Sequence, residues 1–324
     1  MACCPKSIIA DILKAREDKG SIVNVYYVAC GGSYAGLHPG KYFLQSEAKK
    51  VTVDHYTANE FCHATPKALG PNSIVITQSH SGTTPETVKA AEIAQKAGAA
   101  SVVITFDDQS PLAKNGDYVL KYEAKATADM TGMAFGLKLA VEILNQIEGY
   151  ENYDEMMNGF DRIDGIVKHA KEFLTPRAKV FAEEYKDEKL IYMMGSGANY
   201  NVAYSFAICL LMEMQWVNSS AIHSGEYFHG PFEITDRETP FIILMSEGRT
   251  RPLDQRALDF LNRFAEKVIV LDAKELGLET IDDKVSEFFN PLLMGAALGC
   301  YSYELSIARK HPLSCRRYMW KLQY

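Results

Sequence analysis

Residues 73–98 read SIVITQSHSGTTPETVKAAEIAQKAG. An apolar run is followed by a corner crowded with hydroxyls and then by an amphipathic stretch, the pattern of a strand, a loop and a helix. Five hydroxyl side chains, a Gly and a Pro fall within the nine residues 79–87. A plain turn with a helix cap uses these residue types. So does an anion cradle, because a helix start gathers unpaired N–H groups and about half a positive charge at one point. In that reading Ser79, Ser81 and Thr84 donate hydroxyls, His80 lies among them, and Gly82 lets the backbone come close to the anion. CGGSYAG at 30–36 follows an earlier strand-like run, so Gly31, Gly32 and Ser33 form a second corner that can reach the same anion.

Outward from this corner, IVNVYYVAC, SIVIT, SVVITF and YVLKY alternate with amphipathic stretches, which predicts parallel sheets covered by helices. After a polar region from about Glu148 to Glu188 the pattern restarts with LIYMMGSGANY, PFIILMSEG and KVIVLD. The restart keeps one register. Cys30 to Tyr34 overlie Ser196 to Tyr200 at an offset of 166, and the same offset carries Glu60-Phe61 onto Glu226-Tyr227, Gly82 onto Gly248 and Val102-Val103-Ile104 onto Val268-Ile269-Val270. Two similar α/β halves are therefore expected. They are not equal, because Ser33, Ser79 and Ser81 become Asn199, Met245 and Glu247 in the second half. A carboxylate repels an anion and a thioether is no strong donor, so only the first half keeps the cradle.

The chain has 324 residues, is 47% hydrophobic and carries a formal charge of −7. It can bury two cores, and it lacks the basic surface that nucleic acid or an acidic membrane requires. Its seven cysteines are scattered without CxxC or zinc-like spacing, which suggests reduced thiols, no metal site and a cytoplasmic setting. No stretch reads as a signal peptide or a membrane span, and the Walker pattern for a nucleotide triphosphate is missing.

CGGSYAG and SHSGTTPET resemble the phosphate-binding loops of the sugar isomerase (SIS) family, and the duplicated layout resembles the isomerase module of glucosamine-6-phosphate synthase. The segment LMEMQWVNSSAIHSGEYFHGPFEI and the terminal HPLSCRRYMWKLQY are similar to fructosamine-6-phosphate deglycases of the bacterial fructoselysine type. This resemblance covers essentially the whole chain. It implies an α/β fold of two tandem SIS subdomains, each a parallel sheet flanked by helices in a flavodoxin-like three-layer sandwich. The expected boundaries are 1–150 for the first subdomain with the phosphate loops, 151–185 for a helical linker, and 186–324 for the second subdomain with the catalytic residues and a tail.

The implied reaction releases glucose 6-phosphate and a free amino acid from a fructosamine 6-phosphate. A proton leaves C1 to give an enolamine, a proton returns at C2, and water hydrolyses the resulting aldimine. One base and one acid suffice, with no cofactor. Glu213, in FAICLLMEMQW, is the candidate base. By pattern alone a Glu on a helix surface is the stronger reading, although a buried one must be paired or functional; the resemblance puts it at the family's catalytic glutamate. His229, in GEYFHGPFE, is a turn residue by pattern and the family's proton-transferring histidine by resemblance, reaching into the site of a neighbouring subunit. Lys321 aligns with a ring-opening lysine but also fits a surface residue near a terminus. The register pairs Glu213 with Glu47 and His229 with His63, and symmetry cannot choose between the pairs. The resemblance assigns the second, which leaves Glu47 and His63 with structural or interface roles, and the register favours a shared structural role for Glu60 and Glu226. A homodimer or larger homo-oligomer with shared sites follows, with a sugar phosphate as small-molecule partner. Alternatives are an aldose-ketose isomerase, an amino-sugar-phosphate deaminase, or a sugar-phosphate sensor without turnover. The short stretch before the first strand leaves no room for an amidotransferase or a helix-turn-helix segment.

Overall fold

The computed structural model describes residues 4–123 and 126–323, so Cys3 lies outside the described residues. The chain divides into two compact units, Met1–Met157 and Asn158–Tyr324.

The first unit begins with α1 (Pro5–Lys14) and alternates strand and helix thereafter: β1 (Asn24–Ala29), α2 (Gly31–Glu47), β2 (Thr52–Thr57), α3 (Ala58–His63), β3 (Ser73–Ser79), α4 (Pro85–Lys96), β4 (Ala100–Thr105), β5 (Tyr118–Lys121) and α5 (Gly132–Glu148). Its strands form one parallel sheet in the order β2-β1-β3-β4-β5. β3 and β4 are buried at every position, as strands covered on both faces must be. Tyr26, Val28 and Val75 pack with Phe61, Ala90 and Ala94 of α3 and α4. Tyr27, pointing the other way, directs its hydroxyl at the Gly136 carbonyl of α5. Helices thus cover both faces.

β2 was not evident as an apolar run, because it is an edge strand whose residues are exposed or half-buried throughout. Between α5 and the second sheet runs α6 (Tyr153–Tyr185), which contains Pro176.

The second unit repeats the plan with β6 (Leu190–Gly195), α7 (Tyr200–Ser205), β7 (Asn218–His223), β8 (Phe241–Met245), α8 (Arg251–Phe264), β9 (Val268–Asp272) and α9 (Asn290–Ala308). Its parallel sheet has the order β7-β6-β8-β9, which is the order of the first sheet without the fifth strand. The offset of 166 is kept in three dimensions: Asn24 pairs with Thr52, and Leu190 pairs with Asn218. Even the positive backbone angles recur, with φ of 54° and 50° at Gly31 and Gly197, and 64° and 100° at Gly82 and Gly248.

Among the described residues no helix is long and apolar enough to cross a membrane. None of the six described cysteines is in a disulfide.

Candidate functional site

In the strand order 2-1-3-4-5 the direction of chain progression reverses between β1 and β3, and open parallel sheets bind ligands in the crevice at the carboxyl ends of those two strands. The two loops singled out in the sequence are the ones that leave these strands. Gly31, Gly32 and Ser33 open α2 directly after β1, and residues 80–84 join β3 to α4. Because β1 and β3 are hydrogen-bonded neighbours, the two corners lie side by side.

Within the second corner the hydroxyls divide into two groups. Ser79 is buried. Its Oγ accepts from the Gly82 N–H at 3.2 Å and lies 3.0 Å from the Thr84 hydroxyl, so it shapes the loop from beneath. Ser81 is exposed; its Oγ is 2.8 Å from the Thr83 hydroxyl and accepts from the Thr83 N–H at 3.2 Å. Thr84 occupies the cap position of α4, but its side chain makes no cap bond. Pro85 follows at the first helical position, and the other first-turn N–H groups keep their capacity to donate.

Gly82 is required by both conformation and space. Its φ is 64°, and a Cβ there would stand 2.1 Å from Ser110 Oγ and 2.3 Å from Ser110 Cβ. The His80 ring stacks on Phe106, and its Nδ1 is 2.9 Å from the Tyr122 hydroxyl, whose pKa burial pushes up to about 12. His80 is thereby tied to the loop wall.

The equivalent loop of the second unit is filled from within. The Glu287 carboxylate accepts from the Arg249 backbone N–H at 3.0 Å and from Arg249 Nε at 2.7 Å. Asn290 Oδ1 accepts from the Glu247 N–H at 2.8 Å. A Cβ on Gly248 would fall 2.3 Å from the Cβ of Glu287. Below the loop the fully buried Asp254 accepts from the Ser246 N–H at 3.0 Å; burial raises its pKa against the lowering effect of its serine hydrogen bonds.

Glu213 lies near the end of a π-helical run, Phe206–Met214, that continues α7. Such irregular turns are rare and are frequent at functional sites. Its side chain is 23% exposed and forms an ion pair with Arg316, Nη2 to Oε1 at 2.7 Å. The charge in an apolar stretch is therefore paired. The pair lines a cavity of about 500 Å³ together with Trp216, Asn218, Arg317 and Met319. Lys321 donates from Nζ to the Arg316 carbonyl at 2.6 Å, so the tail closes on itself beside the cavity.

His229 is exposed in the turn after β7, its N–H bonded to the Glu226 carbonyl at 2.9 Å, and it is not among the residues lining this cavity. Glu226 is exposed in the same turn, and Glu60 and His63, the register counterparts of Glu226 and His229, are exposed on α3.

Glu47 and Glu213 hold equivalent positions, each far from its own loop. The α-helix α2 extends about 20 Å from Ser33 to Glu47 at ~1.5 Å per residue, and the helical run from Tyr200 to Glu213 takes the same course after the second loop. Each Glu thus stands at the opposite end of its unit's sheet from that unit's loop.

Two segments of the chain, residues 21–146 and 184–277, match the model of the SIS domain. The chain belongs to the SIS-domain family. This SIS chain is 45% identical over 306 residues to the fructosamine deglycase FrlB of Bacillus subtilis (strain 168), covering 94% of the chain and 93% of that protein. It is 26% identical over 300 residues to the fructoselysine 6-phosphate deglycase of Escherichia coli (strain K12), covering 93% and 86% respectively. A solved chain from Salmonella typhimurium LT2, described as a candidate phosphosugar isomerase, superposes with a TM-score of 0.95 at 48% identity, covering 99% of this SIS chain and 96% of that one.

Sequence reasoning did not find Arg316, Arg317 or Trp216. The CRRY run holding the two arginines signals only a short basic patch, and nothing local ties residue 316 to residue 213. Among the described residues no group of three or more His, Cys, Asp or Glu side chains converges as a metal site.

Proposed function

We propose that this SIS chain is a fructosamine-6-phosphate deglycase. It hydrolyses the 6-phosphorylated adducts of glucose with amino acids to glucose 6-phosphate and the free amino acid. The observation that carries the reading is the pair of hydroxyl- and glycine-bearing corners at the β1/β3 crevice, in a chain 45% identical along nearly its whole length to a fructosamine deglycase. Those corners offer the 6-phosphate N–H groups from two helix starts and hydroxyls from Ser33, Ser81 and Thr84, with Ser79 and Gly82 setting the loop's shape.

Glu213 takes the C1 proton. Glu47 is unsuited to a sugar anchored in its own unit, because a six-carbon chain is far shorter than the helix between Ser33 and Glu47. The ion pair with Arg316 gives Glu213 a defined position from which to accept a proton. His229, exposed on its turn, returns a proton at C2, and its exposure suits action on a neighbouring subunit's substrate. The working form is accordingly a homodimer or larger homo-oligomer, acting in the cytoplasm without a cofactor. Lys321 is held by the Arg316 carbonyl and assists ring opening once that contact is released.

The test is direct. Incubation with a 6-phosphofructosyl amino acid releases glucose 6-phosphate and amino acid in equal amounts. Binding of the sugar phosphate without product would make the chain a sensor, and product from unphosphorylated fructosamines at the same efficiency would remove the role of the corners.

A further inference from the structure

We propose that the cavity beside Glu213 receives the amine half of the substrate, and that Arg317 reads a carboxylate on it. The proposal rests on the deglycase reading and adds to it a specificity-determining residue. Glu213 acts at C1, the carbon that carries the amine, whereas the phosphate is six carbons along at the other end of the sugar. The space next to Glu213 beyond C1 therefore belongs to whatever the amine bears.

The charge of that space is unbalanced. Among the described residues that line it Glu213 is the only carboxylate, and Arg316 already pairs with it. Arg317 is exposed and has no carboxylate partner among the described residues; its guanidinium carbon stands 4.4 Å from the centroid of the Trp216 ring. Stacking of this kind fixes the plane of the guanidinium and leaves its edge, with the forked donors, open to a carboxylate.

Arg316 forms the wall beside it. It is 8% exposed, two of its contacts are the carbonyls of Leu313 and Cys315 at 2.8 and 2.7 Å, and its Nε is buried without an acceptor. Its Nη1 and Nη2 are taken up by those carbonyls and by Glu213, so Arg316 is spent on building the wall and leaves Arg317 as the guanidinium that faces an incoming acceptor. Trp216 and Met319 give the same cavity apolar surface for a side chain. The cavity, at about 500 Å³, is within the size range of small-ligand pockets.

The experiment compares glucose 6-phosphate release from 6-phosphofructosyl-glycine and 6-phosphofructosyl-methylamine, which share the linkage and differ in the carboxylate. The wild type is expected to favour the glycine adduct about 10- to 100-fold in kcat/KM, the range one charge-assisted pair supports. Arg317→Ala should lower kcat/KM for the glycine adduct by a similar factor, chiefly through KM, and bring the ratio close to one. Arg317→Lys should retain part of the preference, since it keeps the charge without the fork. A wild-type ratio near one, or an equal loss on both adducts in Arg317→Ala, overturns the arginine subsite while leaving the deglycase reading intact. Failure to cleave either adduct overturns both.

Discussion

Gly82→Ala tests the cradle where its geometry is tightest. The added methyl would sit 2.1 Å from Ser110 Oγ and 2.3 Å from Ser110 Cβ, well inside contact distance. Ser110 cannot simply turn away, because its Oγ accepts from the Ala113 N–H at 3.3 Å, its own N–H is bonded to the Asp107 carbonyl at 3.2 Å, and it is 2% exposed. The segment is also fastened to the glycine by the Leu112 N–H on the Gly82 carbonyl at 3.0 Å. Two costs add. Holding a residue with a Cβ at φ 64° costs about 1–2 kcal/mol, and overpacking a buried contact costs about 1–3 kcal/mol. The sum is about 2–5 kcal/mol, or roughly 5–15 °C in melting temperature for a unit of this size. Thermal unfolding reads the stability, and KM for a 6-phosphofructosyl amino acid reads the loop, which must shift and should raise KM at least about tenfold. Ser110→Gly in the same chain removes the overpacking and should return that part of the loss, leaving the φ cost. Gly70→Ala, with open space at its Cβ and no positive φ, serves as control and should change nothing. A Gly82→Ala protein that melts with the wild type and keeps its KM would refute the close packing of the loop and its bearing on the phosphate.

Glu213→Gln should lower kcat at least about 100-fold with binding retained, since the amide keeps the shape and loses the base, while Glu47→Gln should be mild; the reverse outcome in steady-state kinetics would place the chemistry in the other half. Mixed oligomers of Glu213→Gln and His229→Ala chains should regain activity that neither parent has, and no recovery in verified mixed oligomers would confine His229 to its own chain's site. Ser79→Ala with Ser81→Ala should raise KM for phosphorylated substrate by more than for any unphosphorylated analogue, because one hydroxyl shapes the loop and the other faces outward; an equal change for both substrates would separate these residues from phosphate binding. Burial pushes the Asp272 carboxyl up, but the forked bonds from Arg251 at 2.8 and 2.6 Å and backbone N–H groups outweigh it and leave the group below the ordinary aspartate range. A depressed carboxyl contributes stability that is present above the unfolded value of about 3.9 and is lost as pH falls through the folded one. The stability gap between wild type and Asp272→Asn, followed by denaturant titration, should therefore be steady near neutrality and shrink below about pH 4; a gap independent of pH would contradict it.

What was legible in the sequence was what repeats and what is buried. The register from Cys30-Gly31 to Ser196-Gly197 survives because each landmark fixes backbone geometry: a positive φ, a strand pairing or a helix start. The long apolar strands were legible for the same reason, since burial on both faces demands continuous apolar runs. β2 and β7 were not, because an edge strand such as Thr52–Thr57 needs no such run. In the candidate site, the cluster at 79–84 was visible as composition, whereas the inward turn of Ser79 was not. The partner of Glu213 was out of reach, since it comes from a tail about a hundred residues further along the chain. The π-helical run was hidden too, because its apolar residues satisfy an ordinary helix equally well.

The Glu287 carboxylate in the second loop has a thermodynamic consequence. A loop that folds around an anion supplied by its own chain is saturated at every ligand concentration, so its local opening equilibrium is indifferent to sugar phosphate. The first loop depends on supply: its opening free energy rises with ligand as RT ln(1 + [L]/Kd), about 2.7 kcal/mol at a hundredfold excess over Kd. Amide hydrogens in the first loop should then exchange more slowly by up to about a hundredfold as substrate is added, while those of residues 247–251 keep one rate throughout. Duplication followed by internal neutralisation of one copy thus yields a chain with one responsive corner and one constant corner, a built-in reference against which occupancy of the other can be measured.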